Sequence, residues 1–290
     1  MPLELGRVGF WVSSRLFGDH GGEAARVAGE LEELGIPALW LGSANPDLEL
    51  VSQLLQASQR LVVATGIVSI WAAPAAVLAS NVARVTTRHP DRFLLGLGVS
   101  HAPGVEQSGQ RYVRPYQKMV AYLDELDAAS PPVPKDLRVL AALGPRMLRL
   151  AAERSAGAHP YLVTPEHTRR AREILGPEPL LAPEQMVVVE TDPRRAREIA
   201  RATLARYLQL PNYTNNFRRL GFTEEDLAGR GSDALVDGMV AWGTPEQIEA
   251  RVREHHEAGA DHVAVQVLTA PDATGPPREQ WRLLAPALTR

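Results

Sequence analysis

Eight short apolar runs, each followed by a stretch of helical periodicity, recur along the 290 residues of this chain. They are Val8–Val12, Ala38–Gly42, Leu61–Ile70, Phe93–Val99, Leu137–Gly144, Tyr161–Thr164, Met186–Glu190 and His262–Leu268. Each is continuous rather than alternating in polarity, the pattern of parallel strands buried on both faces. Strand–helix alternation calls for a parallel sheet, and eight units in about 270 residues match the size of a (β/α)8 barrel. Residues 1–290 therefore read as one α/β domain, a (β/α)8 TIM barrel with a helical insertion, Pro211–Gly238, between the seventh and eighth strands. Such barrels place their chemistry at the C-terminal ends of the strands, so the search narrows to eight loops.

Composition removes several classes of function. The chain has no cysteine, which excludes disulfides, thiolate metal sites and a cysteine nucleophile. A net charge of −3 provides no basic footprint for nucleic acid. No apolar run approaches the roughly 20 residues of a membrane span. The start, MPLELGRVGFWV, lacks the basic segment and long apolar stretch of a signal peptide. The expectation is a cytoplasmic protein with neither a nucleic-acid nor a membrane partner. No H-x-x-x-H, H-E-x-x-H or G-x-S-x-G spacing occurs, so neither a metal site nor a hydrolytic triad is expected. His255 and His256, adjacent on a polar helix, read as solvated.

Three segments could carry chemistry. The first is Leu143-Gly144-Pro145-Arg146-Met147, a strand end, a Gly-Pro turn and a helix start. Free backbone amides at a helix N-terminus attract anions, glycine permits close approach, and Arg146 could add a charge-assisted contact. The same residues also read as an ordinary turn between strand and helix. The second is Thr65–Pro74, in which Gly66 suggests close approach by a ligand or another backbone, with Ser69 and Trp71 at the strand mouth. Its alternative is a plug of Ile70 and Trp71 across the barrel top. The third is Gly96-Leu97-Gly98-Val99-Ser100-His101, too short for a dinucleotide fingerprint. His101 follows the fourth strand directly, where a general acid or base would stand, and a surface histidine is the competing reading. The loop Ser100–Pro115 is too long for a mere connector. With no obvious nucleophile, a bound cofactor carrying the reaction is favoured.

Taken together, Phe93–His101, Leu143–Ala152, Tyr161–Thr168, Leu210–Phe222 and Ala241–Val267 make the chain resemble the luciferase-like monooxygenase superfamily. The likeness is greatest to its actinobacterial branch that uses the deazaflavin coenzyme F420. The resemblance implies a dimeric (β/α)8 barrel with the cofactor ring across the mouth, backed by a non-proline cis peptide that matches Ser69–Ile70. It places the cofactor phosphate on Leu143, Gly144, Pro145, Arg146 and Met147, with Ser69, Ile70 and Gly98 also facing the cofactor. Trp11, Ser43, Asn45 and Trp71 then belong to the pocket of a small-molecule substrate, which the loops Ser13–Gly22, Ser100–Pro115 and Pro211–Gly238 complete. Some members carry Asp or His after the second strand, where this chain has Gly42-Ser43-Ala44-Asn45, and this leaves His101 as the acid–base group. The implied activity is hydride transfer between F420 and a small organic substrate. FMN-dependent monooxygenation and a non-catalytic flavin-binding relative are the alternatives.

Overall fold

The computed structural model describes residues 3–18 and 21–290, so Asp19 and His20 of the expected loop Ser13–Gly22 lie outside the described residues. Its strands are β1 (Val8–Ser13), β2 (Ala38–Gly42), β3 (Val62–Thr65), β4 (Val68–Ser69), β5 (Phe93–Gly98), β6 (Arg138–Leu140), β7 (Gly157–Ala158), β8 (Leu180–Leu181), β9 (Glu184–Val188), β10 (Val240–Trp242) and β11 (Val263–Val267). They form one sheet in the order β10-β9-β11-β1-β2-β3-β5-β6-β7-β8, with β4 on β5. The pairings among the described residues are parallel. The segment 180–188 touches β7 on one side and β11 on the other: Ala182 N donates to Ala158 O at 2.9 Å and Ala264 N to Pro183 O at 2.9 Å. The sheet therefore curls round in the manner of a TIM barrel.

Alternation along each strand explains the continuous apolar runs, because both faces are covered. Phe10 and Val12 of β1 and Leu39 and Leu41 of β2 pack outward on the helices. Trp11, Trp40, Ala64, Leu94, Val139 and Ala264 turn inward as a separate inner core. The helix starts follow their local signals. Asp192 accepts from the amides of Arg194 and Arg195, and Thr244 with Gln247 closes a capping box.

Several boundaries differ from expectation. The third run is not one strand: it breaks at Gly66-Ile67, and the cis peptide bond is Gly66–Ile67 rather than Ser69–Ile70. Gly66 N donates to Leu41 O at 2.7 Å and Ala44 N to Ile67 O at 3.2 Å, so the chain leans on the loop after β2 at that point. It then returns to pair with β5, and Ile70 N donates to Gly98 O at 3.1 Å. The sixth run, Tyr161–Thr164, is a loop, and the strand is the preceding pair Gly157-Ala158. Small residues are required there, since a Cβ at Gly157 would lie 1.9 Å from Leu180 O. Within Pro211–Gly238 lie the helices Pro211–Arg219, Glu224–Leu227 and Asp233–Met239, and the unexpected strand β10 follows directly. The long loop Ser100–Pro115 contains the short helix Ala102–Gln107. His255 is buried rather than solvated, with Nδ1 2.8 Å from Thr168 Oγ1 and Nε2 2.9 Å from Gln185 Oε1.

The join between β3 and β5, which sets the height of the Gly66-Ile67 break, is bridged by a side chain. Thr65 Oγ1 donates to Gly96 O at 2.9 Å and accepts from Gly96 N at 2.8 Å. Thr65→Val keeps the shape but leaves the buried Gly96 N–H without its acceptor. It should lower the unfolding free energy by about 2 kcal/mol, measured by urea denaturation.

Candidate active site

The C-terminal mouth of the barrel is organised by Trp11. Its indole lies flat where two strands end without side chains: a Cβ at Gly42 would be 2.0 Å from Trp11 Cζ2, and one at Gly66 would be 2.6 Å from Nε1. Trp11 Nε1 donates to Gly66 O at 3.2 Å. In the barrel interior, Trp40 stacks on His159 with ring centroids 4.1 Å apart and donates to His262 Nε2 at 3.0 Å. His159 Nδ1 donates to Ala182 O at 2.7 Å and His262 Nδ1 to Gly6 O at 2.8 Å. Burial is the main cause that lowers both histidines to about 4, so they are neutral at physiological pH. His159 Nε2 is buried and unpartnered among the described residues.

Around Trp11 stand three tyrosines that no local motif marks. The Tyr161 ring is 5.3 Å from Trp11 and 5.6 Å from Tyr207, and Tyr207 is 4.9 Å from Tyr213. Tyr213 comes from the helix Pro211–Arg219 and reaches His101, with centroids 5.5 Å apart. His101 is half-buried, and its Nδ1 is buried without a partner. Its pKa is lowered chiefly by burial, then by the positive charge of Arg206, against an opposing hydrogen bond to Asn212. At the base of this cluster Glu184 Oε2 accepts from Leu162 N at 2.9 Å while Oε1 has no partner among the described residues. Burial raises Glu184 to about 8, so it carries its proton at neutral pH.

A cationic corner adjoins the mouth. The helix Pro145–Arg154 starts at Gly144 with no side-chain cap and no acidic residue in its first turn. A Cβ at Gly144 would have a single close neighbour among the described residues, the Arg219 guanidinium at 3.4 Å. His167 Nε2 donates to Leu143 O at 2.9 Å, with Nδ1 buried and unpaired. Arg146, expected to face this corner, lies over the Tyr116 ring at 4.3 Å. Arg219 and His167 join this corner, as the three tyrosines and Glu184 join the mouth, without being marked by spacing. Both corner residues fall in stretches that carry the family resemblance, yet spacing shows neither that Arg219 meets Gly144 nor that His167 meets Leu143.

The remaining expected residues fall into two groups, Ser69, Ile70, Gly98 and Trp71 where β4 pairs with β5, and Ser43 and Asn45 in the loop after β2. Ile70 is buried in the outer core. Gly98 makes room for Ile67, whose Cγ1 would be 2.7 Å from an added Cβ. Ser69 Oγ accepts from Trp71 N at 3.3 Å, and Trp71 Nε1 donates to Val99 O at 2.8 Å. Ser43 and Asn45 are exposed in the loop after β2, where Asn45 Oδ1 accepts from Asp47 N at 3.3 Å.

The family model for luciferase-like monooxygenases matches residues 7–262. The chain belongs to this family. No curated protein matches it significantly. Solved structures share the fold at low identity. An F420-dependent secondary alcohol dehydrogenase in complex with an F420-acetone adduct has a TM-score of 0.66 at 14% identity, covering 97% of this chain and 98% of that one. The EDTA monooxygenase of Chelativorans has a TM-score of 0.72 at 14% identity, covering 98% and 93%. The oxygenating constituent of 3,6-diketocamphane monooxygenase from Pseudomonas putida, in complex with FMN, has a TM-score of 0.69 at 15% identity, covering 97% and 98%. Among the described residues of this luciferase-like chain, no helix is long and apolar enough to cross a membrane.

The buried titrating groups fix a pH optimum for stability. His159 and His262, at about 4, and His255, at about 3, take up protons on unfolding as pH falls below 6.5, so stability is lost in that direction. Glu184 acts oppositely: its contribution is present below its ordinary 4.5 and is lost as pH rises through about 8. Below 6.5 the three histidines outweigh the one glutamate, and between 6.5 and 8 Glu184 dominates. Unfolding free energy from urea titrations should peak between about pH 6 and 7. Glu184→Gln should flatten the alkaline limb and steepen the acid limb between about pH 4.5 and 6.5, where the glutamate no longer opposes the histidines.

Proposed function

We propose that this chain is an oxidoreductase that transfers hydride between the deazaflavin F420 and a small organic substrate at the barrel mouth. The fold is read as eight βα units with the helices of 211–239 inserted between the seventh and eighth. The observation that carries the proposal is the uncapped, acid-free helix start at Gly144, faced by the Arg219 guanidinium. Backbone amides and a cation converging on a glycine fit the phosphate of such a cofactor. FMN, held through the same phosphate, is the second reading, and the FMN complex of a structural neighbour is its support.

When bound, the deazaflavin or flavin ring supplies the redox chemistry. The protein's part is to bind, orient and exclude water. The backbone of Leu143–Met147 forms the cradle for the phosphate, with the N–H groups of Gly144 and Arg146 as donors since Pro145 has none, and Arg219 neutralises its charge. Ile67, held over Gly98, presents an apolar surface at the mouth, with Ser69 close by on β4. Trp11 closes the interior, and Tyr213 covers His101. His101, neutral and with an unpartnered Nδ1, is the group able to take or return the substrate proton. A cytoplasmic homodimer acting on small molecules completes the reading.

Anaerobic fluorescence titration with F420 and with FMN tests it. Gly144→Val should weaken the preferred cofactor at least about tenfold, and Arg219→Ala by about tenfold, the size of a lost charge-assisted bond. Arg146→Ala should have a smaller effect, because Tyr116 holds that side chain. Unchanged affinity in Gly144→Val and Arg219→Ala would move the site elsewhere. With a substrate in hand, His101→Ala should retain the melting temperature and cofactor affinity while turnover drops by roughly 10²–10⁴. A protein that binds cofactor and transforms nothing in a panel of alcohols and ketones belongs with the non-catalytic relatives.

A further inference from the structure

Gln266 lies on the inner face of β11, level with Trp11 of β1, and is half-buried. The Tyr161 phenol has one hydrogen, and it goes to Gln266 Oε1 at 2.8 Å. The Tyr207 hydroxyl is 2.8 Å from the same Tyr161 oxygen and is therefore the donor of that pair. A glutamine amide has one accepting end and one donating end. The bond that holds Oε1 on Tyr161 thus turns Nε2 away from it. Among the described residues none accepts from Gln266 Nε2. Unlike His159 Nε2, His101 Nδ1 and Glu184 Oε1, it is not a buried unpaired atom, so solvent reaches it. The surroundings are aromatic: Trp11 at 5.3 Å and Tyr213 at 6.3 Å from the Tyr161 ring.

We infer that Gln266 Nε2 is the donor that recognises an uncharged carbonyl oxygen of the ligand at this mouth, with Tyr161 and Tyr207 as the positioning residues that set its polarity. A phenol-to-phenol-to-amide chain runs in one direction, and each bond polarises the next. Its free end is an N–H among aromatic rings, which suits a neutral acceptor on an apolar body. Such a carbonyl is offered by a ketone or enone substrate, or by the ring of the cofactor itself. The inference rests on the mouth being a ligand site, as proposed above, but not on the phosphate cradle.

Two probes separate the sources: carbonyl-¹³C 2-cyclohexen-1-one, and lumiflavin ¹³C-labelled at its carbonyls, which is the ring without its phosphate. Each is titrated into the intact protein, and the dissociation constant and the bound carbonyl ¹³C shift are read by NMR. In the parent, one probe should show a downfield carbonyl shift. Gln266→Met keeps the volume and removes the donor; it should abolish that shift and raise the dissociation constant about tenfold. Tyr161→Phe should give a smaller loss of both, because the amide is then free to turn. If Gln266→Met does not fold, Tyr161→Phe and Tyr207→Phe carry the same comparison. A shift on the enone assigns the donor to substrate, and a shift on lumiflavin assigns it to the cofactor. No shift on either probe in the parent overturns the inference, as does a shift that survives Gln266→Met or, should that variant not fold, both phenylalanine variants. Neither probe carries a phosphate, so failure of the phosphate cradle and failure of this donor are read separately.

Discussion

The Trp11 indole resting on Gly42 and Gly66 is the contact from which the rest of the mouth is built. A parallel barrel needs its interior filled, and here one large ring spans the ends of β1, β2 and β3. Two glycines at those ends are its counterpart, since any side chain at either would occupy the space of the ring. With Trp11 in place, the strand after Thr65 cannot continue straight. It turns at Gly66-Ile67, takes a bond from the loop after β2, and returns to β5 through Val68 and Ser69. The position of Ile67 over Gly98, and that of Tyr161 packed against Trp11, follow from that one placement.

The mouth and the adjoining corner differ in charge, and burial is the reason. Under and around Trp11 the titratable groups are held neutral: His159 and His262 unprotonated, Glu184 protonated. Water is excluded from these positions, so ionisation there would carry the full desolvation cost. At Gly144 the helix start and Arg219 keep a positive field in a half-exposed setting. A ligand with an anionic end and a neutral ring matches both halves, the division that a phosphate-bearing redox cofactor presents.

The helix Pro211–Arg219 joins these halves physically. Tyr213, near its start, packs on His101 and on the tyrosine cluster, while Arg219, at its end, reaches Gly144. One short element thus spans the neutral mouth and the cationic corner. Its place in the fold depends on Phe217 and Tyr213 being buried in a small core of their own with Leu235, Val236 and Met239.

Periodicity in the sequence determined the succession of strands and helices, because parallel strands covered on both sides must be apolar throughout and helix starts are chosen by local caps. It also marked Gly144-Pro145 and His101 as strand-end residues. It could not place the break in the third strand, which depends on Trp11 from another strand. Nor could it separate the pair Gly157-Ala158, a strand because Leu180 passes so close, from the more apolar Tyr161–Thr164, which is a loop. Gln266, Tyr161, Tyr207, Glu184, Arg219 and His167 come from six separate elements. Their spacing in the sequence has no common period, since each lies on a different strand, loop or helix. Only the curvature and register of the sheet bring them to one end of the barrel, and those are set by long-range packing that no local pattern encodes.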